Sequence, residues 1–130
     1  MSADNQLLNA CNEWRRLAES EGEAIRARNW NLVADCQKAL RQFQPLIARF
    51  ACDAREEWAR LGPIREAKEN SLRATIAELI EIETRNNALL DRLRETARAK
   101  IGQLEQAGRN LRQIHRFYAR SFPASWSSVS

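Results

Sequence analysis

LRATIAELIEIETRNNALLDRLRETARAKIGQLEQAGRNLRQIHRFY, residues 72 to 118, decides how the chain folds. Steps of four and three residues from Leu72 land on Leu72, Ile76, Leu79, Glu83, Asn86, Leu90, Leu93, Ala97, Lys100, Leu104, Ala107, Leu111, Ile114 and Tyr118. Eleven of these fourteen positions are apolar or aromatic, and no proline interrupts them. Such a spacing predicts one continuous helix with a narrow apolar stripe of coiled-coil type. At the standard rise the 47 residues span roughly 70 Å. A rod of that length cannot bury its stripe on itself, so the rest of the chain must cover it or leave it open.

Two shorter helices precede it. The first runs over about 5–27 from a cap at Asp4 or Asn5, with Leu7, Cys11, Trp14, Leu17, Ala18 and Ile25 on one face. Gly22 weakens it by about 1 kcal/mol relative to alanine. Asn29 or Asn31 can cap the second helix, 30–61, whose stripe is Val33, Cys36, Leu40, Phe43, Ile47, Phe50, Ala54, Glu57 and Leu61. Pro45 falls inside it, but the stripe keeps its phase across the proline, which predicts a kinked helix and not two. Leu61-Gly62-Pro63 stops this helix and starts the third, 63–118. The serine-rich end, 121–130, has no periodicity and is expected to be disordered.

The expected fold is therefore all-α: a single helical domain over 1–120, an antiparallel three-helix bundle or coiled coil with a long, overhanging third helix. The second helix, roughly 48 Å long, covers the third only to about Leu93 or Arg94, and the first, roughly 35 Å, covers no further. That leaves Ile101, Leu104, Ala107, Leu111, Ile114, Phe117 and Tyr118 as a contiguous apolar stripe in want of a partner. Gly102 and Gly108 lower helix stability there, so the segment is expected to order on binding. Glu83 and Asn86 interrupt the stripe at its middle; Asn86 reads as a buried polar residue that fixes helix alignment, with Glu83 pointing partly to solvent.

Charge is unevenly placed. Up to Leu93 there are fourteen basic and fifteen acidic side chains, whereas Arg94 to Arg120 holds seven basic ones against Glu95 and Glu105. Seven cations along one helix could meet phosphates, but they form no dense run, aromatic interleaving is sparse, and phosphate binding leaves the apolar stripe without a purpose. Nucleic acid is disfavoured on these grounds. Cys11, Cys36 and Cys52, with no C-x-x-C spacing and a single histidine, His115, read as small buried apolar residues in place of a metal site or disulfide framework. Acidic side chains fall as solvated helix pairs such as Glu69 with Arg73 and Glu81 with Arg85. Neither an active site nor a cofactor is expected. With no run of 18 apolar residues and no basic leader with an apolar core, the chain is expected to be soluble and cytoplasmic.

Leu17, Glu21 and Glu23 with Ala24-Ile25, the turn at Asn29-Trp30, then Val33, Lys38 and Leu46-Ile47, and above all Asn86-Asn87-Ala88-Leu89-Leu90 within a long helix ending near Tyr118, form a pattern. It resembles the FlgN-type flagellar export chaperones, which guard hook-filament junction subunits before type III export. The resemblance implies a cytosolic secretion chaperone whose last helix binds a C-terminal helical segment of the exported subunit and prevents premature assembly. Ala119 and Arg120 follow Tyr118 where members often carry a glycine, so contact with the export apparatus is implied by the family and not by these residues. Homo-oligomerisation through the stripe, as a structural coiled coil, is the alternative, with a non-specific nucleic-acid-binding helix behind it.

Overall fold

The computed structural model describes residues 2–121, with the side chain of Ser121 left out. Among these residues there are three helices and no strand: α1 (Ala3–Arg26), α2 (Trp30–Trp58) and α3 (Ile64–Ser121). None is long and apolar enough to cross a membrane. By its internal contacts the chain divides into one unit up to Leu90 and a second from Asp91.

Ser2 caps α1, its Oγ accepting the Asn5 backbone N–H at 3.2 Å. The helix thus starts before the caps expected at Asp4 or Asn5. Asp4 instead sits in the first turn, where the helix dipole favours an acid, and pairs with Lys68 at 2.8 Å. At the other end the Asn29 N–H reaches the Ala24 carbonyl and the Arg28 N–H that of Ile25. This six-to-one and five-to-two pairing is a Schellman closure, and it requires the left-handed φ of 56° found at Arg28. Asn29 then caps α2 by accepting the Leu32 N–H.

Helix α2 runs continuously through Pro45. It ends at Trp58, three residues short of the expected end. Glu57 and Leu61, expected on its buried stripe, are exposed, and Trp58 is buried in their place. The cause is the drift of a 3.6-residue helix against a 3.5-residue pattern, which turns Trp58 inward one turn after Ala54. Gly62, at φ 63°, makes the turn into α3, and its carbonyl accepts the Arg65 N–H. The third helix runs through Ser121, past the expected end at Tyr118; the stretch from Phe122 that was expected to be disordered lies outside the described residues.

Helices α1 and α2 pack along one another. Leu7, Cys11, Ala54, Trp58, Leu72 and Leu79, contributed by all three helices, form a buried cluster, with Trp14, Phe50 and Ile76 half-buried against it. Farther along, Ala18, Ala24, Ile25, Val33, Cys36, Leu40, Ile82 and Leu90 are buried. The thiols of Cys11 and Cys36 are pushed up chiefly by burial, consistent with small apolar residues. Cys52 departs from that reading: it is exposed, because it lies on α2 between the inward positions Phe50 and Ala54 and turns away from them. Polar links between the helices follow a consistent order. Ala3 N–H donates to Glu57, Asp4 meets Lys68, Arg15 meets Glu78 at 3.1 Å, and Arg55 meets Glu69 at 3.4 Å. Glu69 was expected to pair with Arg73 on its own helix; Arg55 takes it instead.

Candidate binding surfaces

The unit up to Leu90 holds a polar contact at the middle of its packing. Asn86 of α3 is buried, and its Nδ2 donates both to the Ala18 carbonyl at 2.7 Å and to Glu21 Oε1 at 2.9 Å. Glu21 is itself only 2% exposed. An amide is suited to this position because its two N–H groups can serve a backbone carbonyl and a carboxylate together. The approach depends on Gly22: a Cβ built there would lie 2.7 Å from Asn86 Oδ1. A glycine that seems only to weaken α1 is thus the notch into which Asn86 fits.

Beside this contact runs an open groove of about 650 Å³, to which all three helices contribute. Trp14 and Glu21 come from α1, Gln37, Leu40, Arg41, Gln44 and Ile47 from α2, and Ile76, Leu79, Ile80, Glu83, Thr84 and Asn87 from α3. Two lining atoms, Trp14 Nε1 and Glu83 Oε1, are buried and have no hydrogen-bond partner among the described residues. Burial, and secondarily the neighbouring Glu21 charge, push the Glu83 carboxyl up from its ordinary range. Glu83 was expected to point partly to solvent; it is half-buried, with one oxygen withdrawn from water. Sequence reasoning did not find this groove. The available signal was an acid on the apolar stripe of α3 together with Glu21, an acid whose Ala24-Ile25 neighbours lie on the packed side of α1.

Among the described residues, the unit from Asp91 is a single helical stretch. All seven residues expected to bind a partner, Ile101, Leu104, Ala107, Leu111, Ile114, Phe117 and Tyr118, are exposed, the six large ones between 41% and 69%. Phe117 and Tyr118 meet edge to face, with ring centroids 5.5 Å apart. Around them lie Arg98, Lys100, Arg109, Arg112, Arg116 and Arg120, all exposed, and Glu105 is the acid among them. Gly102 and Gly108 are helical. Among the described residues no three His, Cys, Asp or Glu side chains converge as a metal site would require. No family model matches the chain, and no curated protein or solved structure matches it either.

Proposed function

We propose that this protein is a secretion chaperone of the FlgN type, without enzymatic activity. Its stripe from Ile101 to Tyr118 takes an amphipathic helix of an exported flagellar subunit and shields it from early assembly. The observation that carries the reading is the exposure of six large apolar side chains on one stretch of α3. A client helix laid along the stripe would cover them in a helix-in-groove or paired-helix mode. Burial of each Leu- or Ile-sized anchor contributes about 1.5–3 kcal/mol before the costs of association. The flanking arginines would meet acidic groups on the client and cover apolar surface with their stems. A site of this kind acts in the cytoplasm, before export.

In the same proposal the unit up to Leu90 is an antiparallel three-helix bundle that serves as scaffold. Its support is the order of contacts. Ala3 meets Glu57 near the far end of α2, whereas Asp4, Arg15 and Ala18 meet Lys68, Glu78 and Asn86 in rising sequence along α3.

The test is calorimetric titration with synthetic C-terminal helical segments of hook-filament junction subunits. A saturable interaction is expected that changes little with added salt. The double change Leu111→Glu, Ile114→Glu should weaken it by about a hundredfold or more, the loss of two anchors, with helicity and melting unchanged. Binding that survives the double change rules out the stripe as the site, and failure of all such segments to bind rules out this client class. Affinity for nucleic acid that falls steeply with salt would favour the phosphate-binding alternative instead.

A further inference from the structure

Among the fourteen stripe positions on α3 stand one carboxylic acid and one amine, of opposite charge when ionised: Glu83 and Lys100. Neither has a role in the capture of a client helix by residues 101–118. Glu83 lines the groove, where its Oε1 and Trp14 Nε1 are buried without hydrogen-bond partners among the described residues. Glu21 adds a second negative charge there, and Arg41 is the one cation among the lining residues. Lys100 is exposed, with Ala97, Ile101 and Leu104 exposed on the same side of its helix.

We propose that the groove receives the 97–107 stretch of α3 from a second copy of this chain, with Lys100 of that copy pairing with Glu83 and its Ile101 and Leu104 covering Ile47, Ile76 and Ile80. Dimensions suit the pairing. The α3 wall of the groove, Ile76 to Asn87, is about 17 Å long at the helical rise, and an eleven-residue helical stretch is about the same. A helix brings together only side chains three or four residues apart, so the Glu83–Lys100 pair needs two copies.

Charge selects this occupant over a stripe-to-stripe dimer. Residues 91–121 carry eight basic and three acidic side chains, a net of +5, and residues 1–90 carry thirteen and fourteen, a net of −1. Two copies joined through their stripes would set one +5 helix beside another, and in a parallel pair Lys100 would face its counterpart on the shared seam. Docking into the groove sets that charge against Glu83 and Glu21. The inference uses the stripe proposed for client capture but needs no client, and it makes self-association and client binding compete for Ile101 and Leu104.

Sedimentation velocity of the full chain over a concentration series tests it. Reversible self-association is expected, weakened about tenfold or more by Glu83→Lys or Lys100→Glu alone and restored in the double variant Glu83→Lys, Lys100→Glu. Ile80→Glu, a change at a groove residue 59% exposed and so harmless to folding, should weaken it similarly. A chain that stays monomeric throughout overturns the proposal and leaves the groove to another protein or a small molecule. Association unmoved by Ile80→Glu overturns it in favour of stripe-to-stripe pairing, and failure of the double charge reversal to restore association overturns the Glu83–Lys100 contact. If flagellar segments fail to bind but these variants behave as stated, the client reading falls and this one stands.

Discussion

Gly22 and Asn86 function as a pair. In an exposed helix interior, replacement of glycine by alanine gains about 1 kcal/mol. At Gly22 the added methyl would meet Asn86 Oδ1 at 2.7 Å, and Asn86 is held by two hydrogen bonds that resist its displacement. Gly22→Ala is therefore expected to lower stability by about 1–3 kcal/mol, the usual range for overpacking. In a chain that also carries Asn86→Ala most of that penalty should vanish, and a urea-denaturation double-mutant cycle measures the coupling. Arg28 is the opposite case. It holds a left-handed backbone, φ 56°, that costs a side-chain-bearing residue about 1 kcal/mol or more. Arg28→Gly, which keeps the Schellman closure, should raise the denaturation midpoint by an amount equivalent to about 1 kcal/mol. The sequence marks Asn86 as an alignment residue because it breaks an apolar stripe. It does not mark Gly22, since the partner across from a glycine is fixed only by packing.

Among the elements, α3 carries a carboxyl whose burial links stability to pH. Glu83 has its carboxyl raised by burial and by Glu21, so the folded protein holds a proton there that the unfolded chain has already released. The native state binds more protons in the window between the unfolded carboxylate value, about 4.3, and the raised folded one. Stability attributable to Glu83 should therefore fall as pH rises through that window. Glu83→Gln, which is neutral throughout, should flatten this part of the stability–pH curve and be more stable than the native chain at neutral pH. Chemical denaturation from pH 4 to 7 reads both effects; a native chain with no greater loss than the glutamine variant would show that Glu83 is not the group responsible. All three helices are legible in the sequence, since their apolar spacing is a property of each segment alone. Their ends are less so. Ser2 as cap needs no neighbour to identify it, but serine, aspartate and asparagine compete within four residues there, and the exchange of Glu57 and Leu61 for Trp58 depends on how α2 rolls against its neighbours.

For the molecule as a whole, the division at Leu90 separates two kinds of stability. Residues up to Leu90 share a buried cluster drawn from three helices, whereas those from Arg94 to Arg120 are exposed at nearly every position. A helical stretch without buried contacts keeps only its local hydrogen bonds and opens at low cost. Amide hydrogen exchange should be faster over 94–120 than over 72–90, by about a hundredfold or more, and client or self-association should slow the former selectively. Equal protection along α3 in the isolated monomer would contradict this. The exposed stripe was legible because it rests on the spacing within one segment and on which lengths the other helices can cover. The groove was not, because Trp14, Leu40, Ile47 and Ile80 become neighbours only when three helices meet, and Ile80 lies off the stripe altogether.

The notch at Gly22 also bears on how many ways this bundle can be assembled. Apolar stripes with a regular repeat tolerate slippage by a turn, since each shift of about 5.4 Å replaces one aliphatic contact with another. A slip of α1 along α3 by one turn would bring Ala18 or Arg26 opposite Asn86, neither offering the gap that glycine leaves, and would strip the buried Glu21 carboxylate of its donor. A buried acceptor left unpaired costs about 1–3 kcal/mol, more for a charged group. That amounts to a roughly five- to 150-fold bias of the population toward one alignment, from a hydrogen bond that the missing methyl at Gly22 leaves room to form.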